Sequence, residues 1–378
     1  MALWYVDPSA GDDGNGGTGT GDAWATIQKA LDNVTTAGDE VRLMNTATET
    51  PSAQVDLDTA NTGSWTSKIT FQGADGSGNA LSAGSFYTIS GSSLPATTDL
   101  LSWGTTGLGD YLNFKNIRFT AATQHNLRIG PGSGLNFEVA AEFTECRIDS
   151  ASSAGVYLGY GNYLSFVDCE IDSNGAEGCG PLTSATNRGG HAKWTGCQVH
   201  DNGSHGIVIT YSNNDVHGCL FYDNGGDGIT YQRQGKYNSV THNTFHANDG
   251  SGIGPGPSSP VGSFLMTIRY NSFHSNARYG IETYVAGDAY AFISHNHYYF
   301  NTINETFFTD GTPGAGNVLG DPLFTSTTDG SEDFTPLTGS TLIAVGPNGE
   351  SYGAVAHADG GGGGTSMIGP GSGMIGAA

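Results

Sequence analysis

One short pattern recurs six times between Cys146 and about Thr283, and it restricts what this chain can fold into more than any other feature. Aligned on their first residue, the copies begin at Cys146, Cys169, Cys197, Cys219, Asn243 and Asn271, in steps of 23, 28, 22, 24 and 28 residues. Two residues on stands an apolar side chain each time: Ile148, Ile171, Val199, Phe221, Phe245 and Phe273. Five residues on, five copies carry asparagine (Asn174, Asn202, Asn224, Asn248, Asn276), and Ala151 departs. Nine residues on, every copy has glycine: Gly155, Gly178, Gly206, Gly228, Gly252 and Gly280.

A repeat of this length that keeps its inward positions while its connections vary is a solenoid, in which each unit buries its apolar face only against its neighbours. The units are too short for helix pairs. Their β-branched and aromatic residues come in runs of three to five between Asn, Asp and Gly, which is strand and turn chemistry. One coil then holds three short strands and three turns, stacked on the next at roughly 4.8 Å, so that like falls on like. An asparagine at a bend can bond the asparagine above and below it, a structural ladder of Asn174, Asn202, Asn224, Asn248 and Asn276. The glycine after it is expected to serve a backbone of positive φ. The first-position column of four cysteines and two asparagines reads as core rather than as disulfides, since coils in register give a ladder of thiols with no required pairing.

Composition narrows the partners. The formal net charge of −23, from 36 acidic against 13 basic residues, excludes nucleic acid and an anionic membrane as expected partners. No apolar run is long enough for a membrane helix. No signal-peptide pattern precedes Trp4-Tyr5-Val6-Asp7-Pro8, so the expectation is a removed signal or an exit by lysis, and a location outside the cell or on a virion surface.

Along the chain, residues 1–45 read as an N-terminal cap and first strand. Ala23 to Leu31 is an amphipathic helix with Trp24, Ile27 and Leu31 on one face and Asp22 as its cap. A helix of this kind covers the open end of a solenoid. Residues 46–318 are coils, less regular between 74 and 145, where Asn116 begins an earlier one. Residues 319–359, with Asp321-Pro322-Leu323-Phe324, Asp333-Phe334 and Leu337 to Val345, read as a closing element at the base. The uncharged, Gly-rich residues 360–378 read as a tail that docks on a partner.

With the Tyr5-Val6-Asp7-Pro8 opening, the Ala25 to Leu31 helix, the coils and the Asp321 to Phe324 and Gly339-Ser340 closing motifs, nearly the whole chain resembles the pectate-lyase-like superfamily. That superfamily includes polysaccharide lyases, polygalacturonase-type hydrolases and phage tailspikes. The resemblance implies an all-β fold, a right-handed parallel β-helix solenoid with a short N-terminal capping helix. It leaves activity open, because the same scaffold hosts enzymes, binding proteins and virion parts.

No complete catalytic motif stands out. A lyase resembling this superfamily needs a Lys or Arg base beside an acidic cluster, and Arg188, Lys193, Arg233, Lys236, Arg269 and Arg278 match none residue by residue. The polygalacturonase-type signatures are absent, and Gly226-Asp227-Gly228 is part of the repeat. The third position after each repeat start is outward by alternation and reads Asp149, Asp172, His200, Tyr222, His246 and His274. Such a stripe can contact glycans by stacking and hydrogen bonding, hold a divalent metal through neighbouring His pairs, or be a plain polar strand face. No metal site is assigned and no cofactor expected, although acidic turns leave Ca²⁺ open; Asp12 to Gly16 reads as turn chemistry. The leading expectation is a non-enzymatic extracellular or virion-surface β-helix, tailspike-like or capsid-decorating, that contacts glycans or other virion proteins. The alternative is a secreted polysaccharide lyase or glycoside hydrolase acting on acidic polysaccharide. Virion β-helices are often trimers, so a homotrimer stays open, though nothing in the sequence fixes the symmetry.

Overall fold

The computed structural model describes residues 1–57, 64, 66–103, 111–130, 139–158, 162–180, 191–210, 212–231, 237–256, 264–282, 289–307, 316–328, 332–343 and 351–353. Among them run three long parallel sheets, of eleven, ten and ten strands, wound by one chain so that each coil contributes one strand to each sheet. The coil around Cys197 is representative. Ala192–Thr195 lies in the first sheet, Gln198–His200 in the second and Ile207–Ile209 in the third. The chain then returns to the first sheet at Asp215–His217. The variable step between repeats falls in this last connection.

The corners explain the repeat. Each coil turns twice through a left-handed residue, once before the repeat start (Glu145, Asp168, Gly196, Gly218, His242, Tyr270) and once before the asparagine (Ser150, Ser173, Asp201, Asp223, Ala247, Ser275), with φ between 49° and 65°. The asparagine behind the second corner bonds straight down the solenoid. Nδ2 of Asn174, Asn202, Asn224, Asn248 and Asn276 each donates to the Oδ1 of the next, ending on Asn301, at 2.9 Å throughout. The first-position column does similar work in two chemistries. The thiols of Cys146, Cys169 and Cys197 donate to carbonyls of the coil above at 3.2 to 3.4 Å. Asn243, Asn271 and Asn296 give the same bond from Nδ2 at 2.9 Å. All five cysteines are buried and free.

The glycine column has a different cause from the one expected. Gly155, Gly178, Gly206, Gly228 and Gly252 do not have positive φ. A Cβ on any of them would come within 2.5 to 2.9 Å of the carbonyl oxygen of the equivalent glycine one coil on. Glycine is required there by close stacking of coils, not by backbone conformation.

Inside, aromatic rings pile on one another. Phe71, Phe114, Phe143, Phe166 and Trp194 stack along the first sheet at 5.0 to 5.9 Å. Phe221, Phe245, Phe273 and Tyr298 do so along the second at 4.8 to 5.3 Å. Each such pair contributes about 0.5–1.5 kcal/mol beyond the area it buries. The stretch that looked irregular in sequence is regular in space: Tyr111–Lys115 and Ile117–Thr120 are full members of the first and second sheets, and Asn116 turns the corner between them.

At the N-terminal end the helix α1 runs Ile27–Asn33, later than the sequence suggests, and Thr26 caps it, not Asp22. Asp22 instead accepts from Gly16 and Thr18, and Asp13 accepts the amides of Ala25 and Thr26. Glu49 lies buried beneath the helix, accepting the Ile27 amide at 3.0 Å and the Tyr87 hydroxyl. Burial pushes its carboxyl up to about 7, so the native state holds a proton that the unfolded chain releases above about 4.5. Stability from this group is full below pH 4.5 and is lost as the pH rises through 7, by about 3 kcal/mol at most. Glu49→Gln keeps the acceptor and removes the titration. Melts at pH 5 and pH 8 should differ less in the variant than in wild type; equal differences would sink this assignment.

Among its described residues, the C-terminal segment runs back along the outside of the coils. Phe324–Ser326 and Asp333–Pro336 form an antiparallel pair, and their rings fold back against the outer face of the second sheet, on Tyr222, His246 and His274. Thr341 bonds His297, and the Gly353 amide reaches the Tyr270 carbonyl. Residues 360–378 and the cations Arg188, Arg233 and Lys236 lie outside the described residues. No helix among the described residues is long and apolar enough to cross a membrane.

Candidate functional site

From Arg147–Asp149 to His297–Tyr299 the second sheet is built from strands of three residues, so its outer face there carries two side-chain columns, the first and third of each strand, with the middle residue inward. Parallel register puts the third positions directly over one another: Asp149 on Asp172, Asp172 on His200, His200 on Tyr222, Tyr222 on His246 and His246 on His274. The column exists, but it does not face open solvent as the alternation suggested, for none of the six is more than 9 % exposed.

Two different covers account for this. Over its lower half lie Phe334 and Phe324, with ring centroids 5.3 Å from Tyr222, 5.2 Å from His246 and 5.6 Å from His274. Over the upper half lie arginines from the neighbouring column. Arg118 forks onto Asp149, its Nε 2.9 Å from Oδ1 and its Nη2 2.5 Å from Oδ2. Arg147 forks onto Asp172 at 3.1 and 2.8 Å. Glu170 follows in that column, 3.6 Å from Arg147 and 3.4 Å from Nε2 of His200. His200 turns its other nitrogen to Asp201 at 2.8 Å and stacks on Tyr222 at 4.4 Å.

The electrostatics follow from these pairings. Arg118 is the main favourable influence on the Asp149 carboxyl and holds it below its usual range against burial. Burial dominates at Asp172 and pushes it up despite Arg147. Desolvation also drives Tyr222 upward and His246 and His274 down, to about 4 and about 3. The upper half is therefore a charged, partly open cluster, with the side chains of Arg118, Arg147 and Glu170 between 31 and 37 % exposed. The lower half is a closed and neutral one.

The sequence reading had Asp149, Asp172 and His200 but missed Arg118, Arg147 and Glu170. The signal was present, because positions two apart on a strand share a face, and the first column reads Arg118, Arg147, Glu170, Gln198. Among the cations that were considered, Lys193 is exposed on the first sheet, Arg269 bonds Ser294 and Arg278 pairs with Glu282. A second polar group lies beside the third sheet. Ser251 donates its amide to Asp227 at 2.7 Å and its hydroxyl to Glu282 at 2.9 Å, bridging two buried carboxylates, and burial raises Asp227.

Three parallel sheets wound by one chain, with asparagine and aromatic ladders inside and a charged outer face, define a parallel β-helix. The family model described as right handed beta helix region matches residues 101–261 and 185–319, together more than half of the 378 residues, and the chain belongs to that family. No curated protein matches it in sequence. Among solved structures it is similar to pectate lyase Pel9A, at 14 % identity over 94 % of this chain and 96 % of that one, with a TM-score of 0.67. It is also similar to a rhamnogalacturonan lyase (15 % identity, 88 % and 89 % covered, TM-score 0.49). A third is the A-module of the Azotobacter vinelandii mannuronan C-5 epimerase AlgE6 (15 % identity, 75 % and 91 % covered, TM-score 0.48). At these identities the likeness is one of fold.

Proposed function

We propose that this protein is an extracellular carbohydrate-active β-helix that takes an acidic polysaccharide on the outer face of its second sheet, at Arg118, Arg147, Glu170 and His200. One observation carries the reading: two arginines on successive coils, each clamped by its fork on a buried aspartate and each about a third exposed. A guanidinium already oriented by one carboxylate can meet a second at little further entropic cost, and planar bidentate recognition of carboxylate is what arginine does better than lysine. Coils stacked at roughly 4.8 Å offer such receptors as a row. The fold shared with pectate lyase Pel9A supports the substrate class and leaves the reaction open. The reading as a non-enzymatic virion component rests on the lack of a signal-peptide pattern, the lack of a complete catalytic motif and the Gly-rich residues 360–378, and draws no support from this face.

The test uses a panel of acidic and neutral polysaccharides, read by affinity electrophoresis for binding and by unsaturated-product absorbance and new reducing ends for turnover. Binding should be confined to uronate-containing chains. Arg118→Lys keeps a counter-charge for Asp149 but loses the fork, and should weaken that binding about tenfold. Equal retention on neutral and acidic polysaccharides would defeat the proposal. Unsaturated product would mark β-elimination, and new reducing ends alone would mark hydrolysis.

A further inference from the structure

We infer that Glu170, Asp172 and His200 form a binding site for one divalent first-row transition cation, of the Zn²⁺ or Mn²⁺ kind. The strand Glu170–Asp172 presents both carboxylates on its outer face, and the register sets His200 of the next coil beside Asp172. One donor atom from each of the three lies within 4.8 Å of the others.

The histidine carries the argument. Its Nδ1 lies 2.8 Å from the Asp201 carboxylate, which keeps a proton on Nδ1 and turns Nε2 toward Glu170. That Nε2 is buried, on a residue 8 % exposed, and has no hydrogen-bond partner among the described residues. Opposite it, at 3.4 Å, stands Oε1 of Glu170. Positive charge belongs between these two atoms: a proton on Nε2, which, against burial, the Glu170 and Asp201 carboxylates favour, or a divalent cation that displaces it. The separation suits a metal, because two ligands at about 2.1 Å under a tetrahedral angle stand about 3.4 Å apart.

The surroundings are those of a prepared ligand set. Asp201 orients the imidazole from behind, Tyr222 fixes its plane by stacking at 4.4 Å, and Arg147 holds Asp172 by its fork. Such outer partners set ring orientation and ligand basicity at metal-binding histidines. One nitrogen and two carboxylates do not suit Ca²⁺, which takes six to eight oxygens, whereas imidazole with carboxylate suits the transition ions. The other stacked pair, His246 and His274, is spent on itself, with its Nδ1 atoms 2.6 Å apart under Phe334 and Phe324. The site deepens the polysaccharide reading, since a cation here would draw an anionic chain to a molecule of net charge −23. It rests on that reading for its purpose only, not for the binding.

The experiment is calorimetric titration of the full, tag-free, chelator-stripped chain with ZnCl₂, repeated with CoCl₂ to read the visible absorption of the bound ion, with no polysaccharide present. Wild type should bind one equivalent that excess CaCl₂ does not displace, and should melt at a higher temperature when loaded. Glu170→Gln and His200→Ala should each lose at least 100-fold in affinity. Asp201→Asn should lose 10–100-fold, and His246→Ala should bind as wild type does. No Zn²⁺ uptake by wild type overturns the inference, as do Glu170→Gln and His200→Ala proteins that bind as tightly; the cluster is then an ion pair only. Glu170 is a third exposed, so its variant stays informative where His200→Ala folds poorly. Failure on polysaccharides leaves this result standing, and failure here leaves the polysaccharide test untouched.

Discussion

Replacing Asn248 by alanine should cost about 3–5 kcal/mol, more than removing any comparable surface side chain. Asn248 is fully buried. Its Oδ1 accepts the Asn224 amide at 3.3 Å and the Asn224 Nδ2 at 2.9 Å, and its Nδ2 donates to the Phe221 carbonyl at 3.0 Å and to Asn276 at 2.9 Å. Alanine removes the acceptor of the Asn224 amide and of one Asn224 Nδ2 hydrogen, and the donor to the Phe221 carbonyl and to Asn276, whose Oδ1 keeps only the backbone amide of residue 248. Each stranded group costs about 1–3 kcal/mol, and relaxation of the turn recovers part of the sum. In a solenoid the damage stays with the adjoining coils, so the unfolding transition should broaden as well as shift. Urea melts followed by circular dichroism measure both effects. Cys197→Ala is the control: it removes one weak thiol bond at 3.4 Å from the neighbouring column and should cost less. An Asn248→Ala loss below about 1 kcal/mol would mean that burial, not the ladder, secures the corner.

That contrast marks how far the sequence could be read. A solenoid writes its inward positions into the chain at fixed spacing, so the Asn column, the Cys column and Ile148 to Phe273 were visible as columns before any geometry. The spacing says less about why a residue type is required. Gly228 and its equivalents looked like left-handed corners, yet the left-handed residues are Asp223, Ala247 and their neighbours, and the glycines make room for the next coil's carbonyl. Nor does alternation say what covers a face. His246 points outward from its strand and is nonetheless buried, because Phe334 comes from 88 residues further along the chain to lie on it. The charged cluster was half legible for a similar reason: Asp172 and His200 were found in one column, while Arg147 and Glu170 stood in the parallel one.

Acid should lift the C-terminal segment from the second sheet before it unwinds the coils. Burial holds His246 and His297 at about 4 and His274 at about 3, against about 6.5 in an unfolded chain. The groups facing them are few. Glu332 favours the charged form of His246, Asp321 that of His274 and His297, while His246 and His297 oppose charging of His274. Tyr222 and Tyr299 bracket the stack. These native pKa values are depressed, so the stability the groups contribute is complete above about pH 6.5 and is lost as the pH falls toward 4. Holding one independent imidazole at about 4 instead of about 6.5 is worth about 3 kcal/mol, and the adjacent pair His246 and His274 contributes less than twice that. Rehydrating His246 and His274 requires only that Phe324 and Phe334 move away, and His297 that Thr341 does, which exposes far less apolar surface than opening the solenoid. Hydrogen exchange followed by mass spectrometry, corrected for the fall of the intrinsic rate with pH, should therefore show protection lost in residues 321–343 between pH 6 and pH 4 while the Asn ladder stays protected. Phe334→Ala should bring the same change nearer neutrality, at a cost of about 3–5 kcal/mol. Histidine resonances of His246 and His274 that titrate near 6.5, or protection in 321–343 that is unaltered at pH 4, would show that the segment does not seal this face.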